Sequence, residues 1–122
     1  HYLANKEKVS LSDLCNEPFL MLDKGNNSDI SKIFEQNGIS PKIHFTTWDD
    51  YAIMSMVESG LGISILPELI LRRIPYKLVF KELDIPAYRN IGLAFRNKKT
   101  ISLAVEKFLE YFESTGKKIN RL

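Results

Sequence analysis

Apolar stretches of two different periods alternate along this chain, and that alternation limits its possible folds more than any other feature. Val9, Ser10 and Leu11 open a short helix that Ser10 can cap while Asp13 bonds back, and Pro18 forbids its continuation. Phe19 to Leu22 then reads as a strand. The turn-rich stretch DKGNNSD leads to Asn27 or Ser28 as the cap of a helix with Ile30, Ile33 and Phe34 on one face, stopped by Gly38. After Pro41, Lys42 to Thr46 is strand-like, and TTWDD opens a helix whose apolar stripe is Ala52, Ile53, Met56 and Val57, ended by Gly60. Gly62 to Leu66 is an apolar run with the pattern of a strand buried on both faces. Pro67 suits the first turn of a helix from Glu68 to Arg73. Leu78 to Leu83 and Asn90 to Arg96 read as further strands, and Ile101, Ala104, Val105, Phe108, Leu109 and Phe112 mark one face of a last helix. Strands alternating with helices through short links predict an α/β class with a largely parallel sheet and helices on both faces.

Composition narrows the function. A chain of 122 residues with 44% apolar and 26% charged residues holds one packed domain, or most of one, rather than a disordered segment. Its 17 Lys and Arg against 15 Asp and Glu leave a net charge of +2, too small and scattered to wrap nucleic acid. Cys15 stands alone, so a disulfide scaffold and structural zinc are excluded and a reducing, cytoplasmic home fits. Neither a membrane-spanning run nor a signal peptide is visible, and the start without methionine is that of a fragment.

In parallel sheets of this kind, small molecules bind beyond the carboxyl ends of the strands, where helices begin. Three links qualify: Asp23 to Ser28, Thr46 to Asp49, and Pro67 to Leu69. In the second, two hydroxyls, an indole and unpaired helix N–H groups could hold a small polar or anionic molecule. The residues alone favour a plainer reading, a helix cap with a packed tryptophan, since Ser and Thr caps are common and Asp49 and Asp50 suit the helix dipole. The DKGNNS loop lacks the spacing of a phosphate-binding loop. A catalytic inventory is missing: His44 has the place of a hydrogen-bonded core histidine, His1 is terminal, Cys15 is core-like, and adjacent Asp49 and Asp50 do not face each other. No metal-ligand spacing and no cofactor motif occur. The chain therefore reads as a binding module rather than an enzyme.

Four segments in order resemble a known family. MVESGLGISILPEL, Met56 to Leu69, is similar to the hydrophobic, Gly-x-Gly, hydrophobic, Leu-Pro pattern of LysR-type transcriptional regulators. HYLANKEKVSLSDLCNEPFLML is similar to that family's His-Pro-Leu-Ala opening with its Leu-x-Asp-Leu and Glu-Pro-Phe, although Tyr2 replaces the usual proline, and IPAYRNIGLAFR is like its return strand. The resemblance runs over nearly all 122 residues and points to the carboxy-terminal part of the effector-binding domain.

It implies a fold similar to type II periplasmic binding proteins. Residues 1–88 would be the second subdomain, and 89–122 a crossover strand and C-terminal helix returning to an absent first subdomain. The stripe on that last helix would then dock on another copy of the chain or on an exposed edge of the second subdomain. The family's ligand contacts carry over to Thr46, Thr47 and Trp48, with Asn27, Ser28 and Pro67 beside them. A small polar or anionic effector, a homo-oligomer, and DNA contacted only through an absent winged helix-turn-helix are the implied partners. Effector binding would close a cleft and rearrange the oligomer. An extracytoplasmic solute receptor of the same fold is the alternative, and Cys15 together with the Leu-x-Asp-Leu and Gly-x-Gly details favours the regulator.

Overall fold

The computed structural model describes residues 1–23, 25, 28–89, 91, 94 and 101–119, the last four of them as backbone only. It divides into two compact units, His1–Arg89 and Asn90–Leu122. The strand expected at Asn90 to Arg96 lies largely outside the described residues.

In the first unit a 3-10 turn, Tyr2–Asn5, leads into β1 (Lys8–Val9) and α1 (Leu11–Cys15). The capping box read from the sequence is present: the Asp13 N–H donates to Ser10 Oγ at 3.2 Å, and the Ser10 N–H donates to Asp13 Oδ2 at 3.0 Å. Lys6 Nζ also donates to both Asp13 oxygens at 2.7 Å. This Lys6 contact, with the bonds from Ser10, holds the Asp13 carboxyl down to about 2. A carboxyl lowered on folding stabilises the fold above its unfolded value, and that contribution fades as pH falls from about 4 towards 2. Ser10→Ala is expected to cost about 1 kcal/mol near neutrality. It should also shrink the acid-induced loss of stability between pH 4 and pH 2, as read by urea titrations at each pH; an unchanged acid limb would remove Ser10 from the cap.

The core is built on β2 (Phe19–Leu22), all four residues of which are buried. β3 (Ile43–Thr47) pairs with it in parallel, and on its other side the segment through Ile63 makes a single parallel bridge to Phe19. Backbone bonds alternate accordingly, Phe19 donating to Lys42 O at 2.9 Å and Leu20 to Ile63 O at 2.8 Å. Between the strands come α2 (Asp29–Gln36) and α3 (Asp50–Glu58). Ile30 and Phe34 of α2 and Ile53 and Met54 of α3 are buried, and Phe34 meets Phe19 edge to face at 5.2 Å. Each such side chain contributes roughly 1.5–3 kcal/mol by leaving water. Gly38 and Gly60 end the helices at positive φ, 64° and 77°, where a β-carbon is disfavoured. A short α4 (Glu68–Leu71) follows Pro67, and β4 (Glu82–Leu83) pairs in parallel with β1. All strand pairings among the described residues are parallel.

Several expectations are corrected. Gly62 to Leu66 is half-buried, with one bridge instead of a strand buried on both faces. The strand expected over Leu78 to Leu83 shrinks to its last two residues, because its partner β1 is only two residues long before the Ser10 cap turns the chain into α1. His44 is exposed on β3 rather than in the core, since β3 has no buried side chain on either face. α4 stops at Leu71, short of Arg73.

In the second unit α5 (Leu103–Ile119) is the described element. It starts two residues after Ile101 and runs beyond Phe112. Phe108 and Phe112 stack one turn apart at 6.4 Å, and Lys107 pairs with Glu110 at 2.7 Å.

Candidate functional site

Because β2, β3 and the segment through Ile63 run the same way, their carboxyl ends lie at one end of the His1–Arg89 unit. The three links singled out from the sequence leave from that end. The exits of β2 and β3 are tied directly, the Asp23 N–H donating to Thr47 O at 2.9 Å. On the other flank of β2, Ser64 Oγ donates to Leu20 O at 2.7 Å, anchoring the approach to Pro67.

The turn after β3 departs from expectation in its cap. Asp49, not a threonine, takes the N-terminus of α3: its Oδ1 accepts the N–H of Tyr51 at 2.8 Å and of Ala52 at 3.3 Å. The helix N–H groups expected to be open to a ligand are therefore already used by the chain itself. Thr47 is half-buried, and its Oγ1 accepts the Asp49 N–H at 3.3 Å, which leaves the hydroxyl proton available for donation. Thr46 is exposed on β3. Trp48 is 78% exposed at the tip of the turn, so the packed-tryptophan reading does not hold.

Ser28 sits at the start of α2 without a side-chain cap; its hydroxyl instead donates to Leu22 O at 3.3 Å and closes the link after β2. Asp23 Oδ1 accepts the Gly25 N–H at 2.9 Å in the same link. Asn27 lies outside the described residues. Pro67 is the N-cap of α4, has no N–H, and its carbonyl accepts from Ile70 at 3.0 Å, so it can donate no hydrogen bond to a ligand. The first turns of α2, α3 and α4 each carry an acid, Asp29, Asp50 and Glu68, which favourably meets the positive helix end. Asp29 also pairs with Arg89 at 3.3 Å.

One feature was missed in the sequence. The first turn of α3 and the α4 segment enclose an open concavity of about 610 Å³, lined by Asp50, Tyr51, Leu69, Ile70, Arg72 and Arg73. Its signal is the Arg72-Arg73 pair at the end of the helix expected from Glu68 to Arg73, which in the sequence is no more than a short pair of like charges. Among the described residues no group of three or more His, Cys, Asp and Glu could hold a metal ion, and no helix is long and apolar enough to cross a membrane.

Comparison with known proteins places these loops in a family. Residues 1–117 match the LysR substrate binding domain. The chain is similar to the uncharacterized HTH-type transcriptional regulator YvbU of Bacillus subtilis (strain 168), 35% identical over 112 residues, covering 90% of this chain and 38% of that protein. It is also similar to the HTH-type transcriptional activator CmpR of Synechocystis sp., 28% identical, covering 91% of this chain and 38% of the relative. Among solved structures, HinK, a LysR family transcriptional regulator from Pseudomonas aeruginosa, superposes with a TM-score of 0.72 at 26% identity, over 91% of this chain and 40% of that one. The chain thus spans about two-fifths of the length of these proteins. The match over residues 1–117, the parallel strands and the agreement with a solved member together show that the chain belongs to the LysR substrate binding domain family.

Proposed function

We propose that this chain is the effector-sensing part of a LysR-type transcriptional regulator, binding a small molecule at the carboxyl ends of β2 and β3 and passing that event to DNA contacts made by a separate helix-turn-helix portion. The observation that carries the reading is the joining of the two strand exits by the Asp23 to Thr47 bond, which sets the Thr46-Thr47-Trp48 turn beside the Asp23–Ser28 link. Thr47 offers a hydroxyl proton, Trp48 an open aromatic face, and Ser28 a hydroxyl oxygen that can still accept. Residues 1–88 would act as one subdomain of a clamp, and 89–122 as the return towards the other. Closure of that clamp in the cytoplasm, and rearrangement of a homo-oligomer, would follow as a population shift between two states. No step of this needs catalysis.

Trp48 is the chain's sole tryptophan and is 78% exposed, which makes it a built-in reporter. A thermal-shift screen of the longer regulator against small carboxylates, amino acids and aromatic acids identifies a ligand, because a compound specific for the folded state raises the melting temperature. That ligand should then move Trp48 emission, read as the difference between the regulator and its Trp48→Phe variant, to the blue. Thr47→Val should weaken the response about fivefold, the worth of one hydrogen bond. A bound effector that leaves Trp48 emission unmoved and tolerates Thr47→Val would remove this turn from the site.

A further inference from the structure

We infer that the concavity between the first turn of α3 and α4 is the anion-recognising part of this unit, with Arg73 and Arg72 holding the carboxylate of a small amphiphilic monoanion whose apolar body lies against Tyr51 and Leu69. The inference rests on the effector-site reading and names the chemistry of its ligand.

An anion approaching the strand ends meets an unwelcoming surface. The Asp49 carboxylate already takes the N–H groups of Tyr51 and Ala52, and Asp29, Asp50 and Glu68 occupy the first turns of the three helices that begin there. At α3 the usual means by which such a fold holds a negative charge, free N–H groups at a helix start, is spent, and at α2 and α4 the first-turn acid opposes an anion. Positive charge comes instead from α4 and its continuation, where Arg72 and Arg73 line the concavity. Arg72 Nη2 is 3.5 Å from Glu68 Oε1 and so is shared with that acid, whereas Arg73 makes no ion pair among the described residues. With Arg72 shared, Arg73 is the cation at the lining without an ion pair among the described residues, and a single such charge suits a monocarboxylate better than a phosphate. A guanidinium fork matches a carboxylate with two parallel bonds, a geometry that an ammonium cannot supply.

The rest of the lining sets the body of the ligand. Tyr51 is 59% and Leu69 61% exposed, so two large apolar side chains stand open beside the arginines. The concavity, about 610 Å³, is open to solvent, so it can cover one side of a small molecule rather than enclose it. Along the chain the lining begins directly after the Thr47-Trp48-Asp49 turn, at Asp50 and Tyr51, and resumes at Leu69, just past Pro67, which caps α4.

The test uses three probes that share a tail and differ in the head: hexanoate, hexylammonium and 1-hexanol, each titrated into the 122-residue chain and followed by amide chemical shifts. Hexanoate should give saturable shifts at Tyr51, Leu69 and Ile70 that neither other probe produces. Arg73→Gln should weaken hexanoate about tenfold, as expected for loss of a charge-assisted pair, with Arg73→Lys recovering part of it. The Arg72→Gln, Arg73→Gln double variant should abolish binding with the melting temperature unchanged, since both side chains are exposed. Equal shifts with hexylammonium, hexanoate shifts away from these residues, or unchanged binding in Arg73→Gln would overturn the assignment. Failure of the effector-site reading shows separately, as an effector that neither moves Trp48 emission nor responds to Thr47→Val.

Discussion

Alanine in place of Gly62 is expected to destabilise the fold by about 3 kcal/mol and to lower the melting temperature by roughly 15 °C. Gly62 is not in a left-handed conformation; its need is for space. A β-carbon there would lie 2.3 Å from the carbonyl oxygen of Pro18 and 3.1 Å from its carbon, both backbone atoms that cannot rotate away. That same oxygen accepts the Ile63 N–H at 3.0 Å, so relieving the clash pulls the Ile63 segment off β2. Calorimetry of the variant checks this directly. A melting temperature within a few degrees of the parent would mean that the close approach is not a real constraint. Gly60→Ala makes a useful comparison, because nothing lies within 4 Å of its added carbon and only the positive φ of 77° opposes it. Its cost should be about 1 kcal/mol.

Phe19→Ala should be at least as damaging, at about 3–5 kcal/mol. Phe19 is fully buried, meets Phe34 edge to face, and belongs to the residue pair at which β2 bonds to both of its neighbours. Truncation removes the transfer energy of the ring and leaves a cavity that fixed strands on both sides cannot collapse to fill. Phe45→Ala, on the open face of β3 at 46% exposure, should cost less than about 1 kcal/mol. Urea unfolding of the two variants separates them; similar midpoints would show that β2 is not the centre of the core.

How much of this was legible depended on how local the determining physics is. β2 was read residue for residue, because four apolar side chains between Pro18 and Asp23 can only be a short buried strand in this context. The Ser10–Asp13 box and the stops at Gly38 and Gly60 were equally legible, since capping and positive φ act within a few residues. What failed depended on partners distant in sequence. Leu78 to Phe80 has strand-forming side chains but meets a partner with room for two pairings only. His44 looked internal because β3 alternates like a buried strand, yet β3 pairs only with β2 among the described residues. At the site, the Thr46–Asp49 turn lies where the residues point, but the capping role falls to Asp49, because it stands directly before α3 while Thr47 is two residues further back. The two arginines were overlooked because a concavity is a property of α3 and α4 together.

The pairing of β1 with β4, and of Phe19 with residues on either side, also sets a timetable for synthesis. When residue 40 has left the ribosome, Phe19 to Leu22 has neither of its neighbouring strands, because those are supplied by residues 43–47 and 63. Lys8 and Val9 wait longer still, for Glu82 and Leu83. Closing loops of this length before any sheet contact is rewarded slows folding and leaves a greasy nascent segment uncovered. Nascent chains stalled before Ile63 should therefore recruit chaperones that those stalled after Leu83 release.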